Sequence, residues 1–314
     1  MVPVHAGQEP VVPVICGPTA SGKSALAMRL AEQAPITIIS ADSRQLYQGF
    51  DIGTAKPTPE EQARVPHVGI DVAAPTERWS AWRWAVMARA AIREARAAGR
   101  VPVVVGGTGF YIRALVAPLA SVPTLDAARQ AALSNWLDTL PHAELRRWCE
   151  VLDPDRAPLG PVQWRRAIEV ALLTGTPLST WHRRDAGHSA PLAVRYLVVD
   201  PGPPLAQRIE ARVHAMLDAG WVLEVVSLLA RIPPVAPAWQ STGYDAVRAH
   251  VEGRVSLADA TTRVVVDTRQ YAKRQRTWFR HQLQEGEVTR LSPLDPDAIE
   301  RALAWWRASS GNLV

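Results

Sequence analysis

The sequence predicts an α/β protein: a parallel sheet flanked by helices and carrying a phosphate-binding loop, with an inserted helical domain and a helical C-terminal region. Three observations predict it. Four short runs, Val11–Cys16, Ile36–Ser40, Val101–Val105 and Tyr196–Val199, are almost wholly apolar, as expected for strands covered on both faces. Helical patterns separate them, and strand alternating with helix describes a doubly wound core. The stretch from Ser121 to Pro191 instead has no strand-like run and is punctuated by Pro141, Pro154, Pro158, Gly160, Pro161, Gly175 and Pro177, which reads as an insertion of short helices.

Taken in order, the first run leads into Gly17-Pro18-Thr19-Ala20-Ser21-Gly22-Lys23-Ser24, a match to G-x-x-x-x-G-K-[ST], and then into a helix-like run from Ala25 to Gln33. In that context the glycines let successive N–H groups turn inward, the helix presents its positive end, Lys23 adds a point charge and Ser24 can ligate Mg²⁺. The second run ends at Asp42, beside the ligand crevice of an open α/β sheet. A helix over Trp82–Ala98 is opened by Ser80 as N-cap and closed by Gly99. The third run ends in Gly106-Gly107-Thr108-Gly109. After the fourth come a helix over Leu205–Ala219 before Gly220, a connection rich in proline (Pro233, Pro234, Pro237) and a long helix from about Leu257 to Gln284. The chain divides into a core, first part (1–120), the helical insertion (121–191) and a core, second part (192–314).

Composition narrows the function classes. Of 314 residues 47% are hydrophobic, enough for a substantial core, and the net charge is +5. Residues 261–290 carry seven Lys/Arg against three Asp/Glu, which points to an acidic partner near that segment. Only Lys23, Lys56 and Lys273 are lysines among 35 basic residues. The two cysteines, Cys16 and Cys149, have neither disulfide-framework nor metal spacing and read as small buried hydrophobes. Met1–Pro10 has no targeting pattern and no apolar run reaches membrane-spanning length, so a cytoplasmic protein is expected.

Asp42 has two chemical roles open, general base toward an acceptor or indirect Mg²⁺ ligand, beside the plain role of capping the next turn. Thr108 offers a hydroxyl where glycines let the backbone come close. Arg208 and Arg212, one helical turn apart, share a face suited either to a second phosphate or to solvent. Arg269, Lys273, Arg276 and Arg280 recur at i, i+4, i+7 and i+11 as one basic stripe. With Tyr271, Trp278 and Phe279 interleaved, the stripe suits RNA, or else it is a solvated face whose aromatics turn to the core.

Gly17–Ser24, Ser40-Ala41-Asp42-Ser43-Arg44-Gln45-Leu46-Tyr47, Asp51-Ile52-Gly53-Thr54-Ala55-Lys56-Pro57, Gly106–Tyr111 and Ala272–Arg280 together resemble the bacterial tRNA dimethylallyltransferases, in order and spacing, across nearly the whole chain. The resemblance implies transfer of a dimethylallyl group from its diphosphate to the exocyclic amine of the adenosine immediately 3′ of the anticodon. It also implies a helical insertion that helps grip the anticodon arm. Carried onto this sequence, it makes Asp42 the group bonded to the attacking amine. Thr19, Lys23, Ser24 and Arg212 become diphosphate ligands, with the rest of Gly17–Ser24 and Arg208 around them, and Thr108 sits at the reaction centre. Asp42, Ser43, Arg44, Gln45, Arg129, Gln163, Trp164, Arg165 and Arg166 are then expected to contact tRNA. This chain departs from the pattern at Leu159-Gly160-Pro161-Val162-Gln163, where the family usually has a polar Asn-Asp-x-x-Arg run. Because no Cys/His zinc module follows, a bacterial-type enzyme is implied, a monomer using Mg²⁺.

Two other readings fit the loop: a small-molecule kinase using ATP, and an NTP-dependent RNA-binding switch. The kinase leaves the basic stripe and insertion unexplained. The switch needs an acidic residue after an apolar strand, where Val101–Val105 runs into Gly106-Gly107. Neither predicts the Asp51–Pro57 segment.

Overall fold

The computed structural model of the chain describes residues 11–117, 122, 123, 125–185, 192–283 and 288–310. Met1–Pro10 and the boundary residues Ser121, Pro191 and Gln284 lie outside them. The chain forms two compact units, Met1–Val116 with Leu192–Val314, and Ala117–Pro191.

The first unit is built on a parallel sheet of β1 (Val12–Cys16), β2 (Ile36–Ser40), β3 (His67–Val68), β4 (Val101–Gly106), β5 (Val194–Val199) and β6 (Val288–Leu291), in the order β3-β2-β4-β1-β5-β6. The four strands expected from the apolar runs are the central ones. Every residue of β1, β2 and β4 is buried, which is why these runs show no alternation of polar and apolar residues. Val14 pairs with Val104 on one side and Tyr196 on the other. Each fully buried Ile or Val of this layer contributes about 1.5–3 kcal/mol relative to an exposed position. The two outer strands were not expected. β3 is only two residues long, and β6 is half-buried at the opposite edge.

The order in which strands are added reverses at β1, since β2 lies to one side of it across β4 while β5 lies on the other. The crevice at the carboxyl ends of β2, β4, β1 and β5 is therefore where loops from different connections meet. The helix after β1 spans Lys23–Leu30. The helix Ala81–Ala97 starts at Ser80, whose side chain accepts from Arg83 N at 3.1 Å, and the chain leaves it at Gly99 with φ 67°. Its Trp84 is fully buried and donates its indole N–H to Ser40 O at 2.9 Å, pinning the end of β2. The helices Leu205–Asp218 and Leu257–His281 cover the crevice, each a little shorter than the sequence pattern suggested.

In the second unit the described elements are all helical: Ala127–Asp138, His142–Leu152, Pro161–Thr174, Leu178–Asp185 and a short 3₁₀ turn. They close on a small core of Leu137, Leu145, Cys149, Ala167 and Ile168, against which Trp164 packs.

Candidate active site

The phosphate-binding loop follows β1 directly, with Ala20 at φ 60° and Gly22 at φ 95° curling the chain into the Lys23–Leu30 helix. No side chain caps that helix, so its first N–H groups remain for an anion. Lys23 Nζ donates to Pro18 O at 2.5 Å, which folds the ammonium back over the loop. Burial, reinforced by the nearby Arg212 charge, pushes the Lys23 ammonium down to about 8, while Asp42 opposes the shift. Arg212 is lowered by the same burial and supported by the same Asp42. Two cations brought together in a desolvated place favour an anionic ligand between them.

A cavity of about 350 Å³ opens onto these groups. Thr19, Lys23 and Ser24 line it from the loop, Asp42, Arg44 and Gln45 from the end of β2, and Gly106 and Gly107 from the end of β4. Gly53 through Pro57 form another wall. Ile209, Arg212, Val213 and Met216 face it from one helical face, and Val264, Thr268, Tyr271 and Gln275 from another, at the spacing that keeps side chains on one side of a helix. The cavity is thus polar and cationic at the loop, acidic at Asp42, and apolar around Ile209, Val213, Val264 and Trp221.

Asp42 caps the next turn and faces the cavity. Its Oδ1 accepts Arg44 N at 2.8 Å, and the carboxylate still borders the cavity. Thr108 Oγ1 accepts Ser43 N at 3.0 Å, locking the Asp42–Gln45 segment to the end of β4. Tyr271 hydrogen-bonds to Thr108, and its phenol is pushed up to about 12 by burial and by the Asp42 charge, so it stays neutral across the working range. Asp42, Ser43, Arg44, Gln45 and Thr108 therefore form one cluster.

Other expected residues separate. Arg208 Nε donates to Ala20 O at 3.0 Å, so Arg208 grips the main chain of the loop from outside while Arg212 enters the cavity. The basic stripe is divided. Arg269 pairs with Glu210 at 2.8 Å, and Arg276 is bidentate on Asp200 with a further bond to Gly202 O. Acids on the neighbouring helix and at the end of β5, invisible in the spacing of the stripe itself, claim these two cations. Lys273 and Arg280 are exposed. Trp278 packs edge-on against Phe279, which is buried, so at least that aromatic serves the core. In the helical unit Gln163, Arg129 and Arg166 are exposed, Arg166 being paired with Glu169 at 3.5 Å, whereas Trp164 donates to Ala157 O at 3.0 Å and Arg165 bonds to Asp138 and Ser134. Trp164 and Arg165 hold that unit together.

Sequence reasoning gave no role to Gln275. It is 6% exposed, accepts Thr19 N and donates to Gly107 O. A Cβ on Gly107 would lie 2.2 Å from the Gln275 amide nitrogen, so only glycine admits this contact. The available signal was a polar residue on the same helical face as the buried Ala272 and Phe279. Cys16 and Cys149 are buried, and burial raises their thiols to about 12 and about 11, which leaves them protonated and inert. Among the described residues there is no cluster of three or more metal-binding side chains, and no helix is long and apolar enough to cross a membrane.

An anion-binding loop, two desolvated cations and the Asp42 carboxylate around one part-apolar cavity fit an enzyme of phosphorylated substrates on a doubly wound sheet. The comparisons narrow this. A family model described as IPP transferase matches residues 45–282, and one described as isopentenyl transferase matches residues 10–71. A tRNA dimethylallyltransferase of Gloeobacter violaceus is 44% identical over 305 residues, covering 93% of this chain and 98% of its own length. Among solved structures, the tRNA delta(2)-isopentenylpyrophosphate transferase of Staphylococcus epidermidis matches with TM-score 0.67 and 30% identity, over 96% of this chain and 99% of that one. A eukaryotic dimethylallyltransferase acting on tRNA matches with TM-score 0.78 and 27% identity, over 94% and 78%. This chain belongs to the IPP transferase family.

Proposed function

We propose that this chain transfers the dimethylallyl group of dimethylallyl diphosphate to the exocyclic N6 amine of the adenosine immediately 3′ of the anticodon in tRNA, releasing diphosphate. The observation that carries the reading is that Asp42 opens onto the same cavity as Thr19, Lys23 and Arg212. The diphosphate belongs at the loop, where unclaimed N–H groups, Lys23 and Arg212 meet the negative charge that grows on the leaving group. The dimethylallyl group belongs on the apolar side of the cavity. As the C–N bond forms, the bond from the allylic carbon to the diphosphate oxygen breaks, and Asp42 takes the proton that the amine loses. A base in the anticodon loop must be turned out of its stack to reach this depth.

Mg²⁺ fits the donor set: Ser24 supplies one hard oxygen beside the anion cradle, and Mg²⁺ ordinarily takes most of its other ligands from phosphate and water. Bound there, it neutralises diphosphate charge. The exposed Gln163 and Arg129 of the helical unit, with Lys273 and Arg280, are the side chains best placed for RNA backbone. We take the enzyme to act as a cytoplasmic monomer. The test is incubation of the protein with unmodified tRNA, dimethylallyl diphosphate and Mg²⁺, without ATP, followed by nucleoside mass analysis. An adenosine heavier by one dimethylallyl substituent is expected. Turnover only on addition of ATP, or none with an unmodified tRNA pool, overturns the proposal.

A further inference from the structure

We infer that Glu224 and Tyr244 are positioning residues for prenyl transfer: together they hold the Asp51–Pro57 segment as a fixed wall of the reaction cavity. The inference rests on that cavity being the transfer site proposed above. Glu224 Oε2 accepts Asp51 N at 3.0 Å and Ile52 N at 2.7 Å, and its Oε1 accepts the Tyr244 hydroxyl at 2.6 Å. The Tyr244 oxygen in turn accepts Gly53 N at 3.1 Å. One carboxylate and one phenol capture three consecutive main-chain N–H groups.

The anchor itself is rigid. Tyr244 is fully buried and packed against Phe50 and Trp221, and burial with the adjacent Glu224 raises its phenol far above the ordinary range, so it stays a donor. Gly53 lies against the Trp221 ring, where a Cβ would come within 2.3 Å of the indole. The inner side of the wall is tied as well. Gln45 Nε2 donates to Thr54 O at 3.3 Å and Ala55 O at 3.0 Å, and its Oε1 accepts from Ser40 Oγ at 2.9 Å. Gln45 belongs to the segment that carries Asp42, so the wall and the base share a support. At the far end the Lys56 ammonium is 4% exposed and bonded to Tyr47 O, Asp51 and Asp71. Lys56 is therefore a staple of the wall and not a phosphate ligand.

Between these ties Ala55 has φ 48°, a left-handed conformation that a residue with a Cβ keeps only where its surroundings over-determine it. Gly53, Thr54, Ala55, Lys56 and Pro57 all border the cavity. A held, locally strained segment facing a reaction space is a geometry-setting element, because a displacement of about 1 Å from a productive alignment costs on the order of 10²-fold in rate. Among the described residues no hydrogen bond joins Glu224 or Tyr244 to Thr19, Lys23, Ser24 or Arg212. Loss of the anchor is therefore expected in turnover and not in anion binding.

The experiment uses the full chain with Tyr244→Phe, Glu224→Gln and Glu224→Ala. Tyr244→Phe is expected to lower kcat for tRNA prenylation roughly 10- to 100-fold, to keep wild-type affinity for inorganic diphosphate, and to speed amide hydrogen exchange over residues 51–55. Glu224→Ala should behave in the same way. Glu224→Gln, which keeps an oxygen acceptor for the segment, should recover most of the rate. A folded Tyr244→Phe variant with wild-type kcat, or with unchanged exchange over 51–55, overturns the inference. Should Tyr244→Phe not fold, equal rates for Glu224→Gln and Glu224→Ala overturn it instead. Exchange and diphosphate binding need no turnover, so a wild-type protein inert toward tRNA would sink the proposed function while leaving this anchor separately readable.

Discussion

Gln275 accepts the backbone N–H of Thr19 at 2.8 Å across a separation of 256 residues, and with its other amide atom donates to Gly107 O at 2.9 Å. The Leu257–His281 helix thus fixes the distance between the phosphate-binding loop and the end of β4, the two sides of the cavity floor.

Replacing Gln275 by Glu keeps an acceptor for Thr19 but removes the donor to a buried carbonyl and adds a negative charge beside the anion site. We expect a loss of about 1–3 kcal/mol in stability, read from the denaturant midpoint. Diphosphate affinity should fall at least about tenfold, since 1.4 kcal/mol of repulsion suffices for that. Calorimetric titration that finds wild-type affinity in the folded variant would contradict the bridging role.

This bridge also marks where reading the sequence stopped. The central strands were legible because burial on both faces demands unbroken apolar runs, and the loop was legible because its chemistry requires particular residues at fixed spacing. The outer strands were not: His67–Val68 is too short to carry a pattern, and Val288–Leu291 has one exposed and two half-buried residues. Asp42, Thr108 and Arg212 could be placed near the loop from strand ends and helix faces. Gln275, Tyr271 and the Glu224–Tyr244 pair could not, because their partners lie far away in sequence and only the packing of the helices that follow β5 brings them to the cavity. The stripe misled for a related reason. Helical spacing shows which cations share a line, but not that Asp200 and Glu210 face them from other elements.

Asp42→Asn leaves the turn intact, because an amide oxygen can still accept Arg44 N, but it removes the proton acceptor. Transfer should slow roughly 10²–10⁴-fold while diphosphate binding survives. Lys23→Ala should weaken both. Rapid-quench transfer and diphosphate titration on folded proteins separate the two roles, and a folded Asp42→Asn enzyme as fast as wild type would remove Asp42 from the chemistry.

Lys23, pushed down to about 8 by burial and by Arg212, gives the donor site a pH dependence. The ammonium is the form that attracts diphosphate, so affinity should be flat below pH 8 and fall by up to about tenfold per unit above it. Folding runs the other way. The unfolded lysine keeps its proton to about 10.4, so this group's contribution to stability rises between pH 8 and that value. Isothermal titration of diphosphate at pH 7, 8 and 9 should show the step in wild type and lose it in Lys23→Ala. A flat wild-type profile would place the Lys23 proton outside the binding equilibrium.

The division of the basic stripe predicts that its four members respond differently to alanine. Arg276 is bound to Asp200 and Gly202 O, so Arg276→Ala strands a half-buried carboxylate at the end of β5 and should cost about 1–3 kcal/mol of stability. Its effect on tRNA binding should follow from that loss and not from a missing phosphate contact. Lys273 and Arg280 are exposed, so their alanine variants should be as stable as wild type. If each meets one phosphate of a single-stranded loop, its removal should flatten the dependence of log affinity on log salt by about 0.7. Arg269 stands between these cases: its pair with Glu210 is largely exposed, contributes little, and can exchange carboxylate for phosphate. Titrating the four folded variants with tRNA at several salt concentrations, beside their unfolding midpoints, tests the whole pattern. Equal salt slopes in wild type, Lys273→Ala and Arg280→Ala would show that this face of the helix is solvated and that the tRNA backbone runs elsewhere.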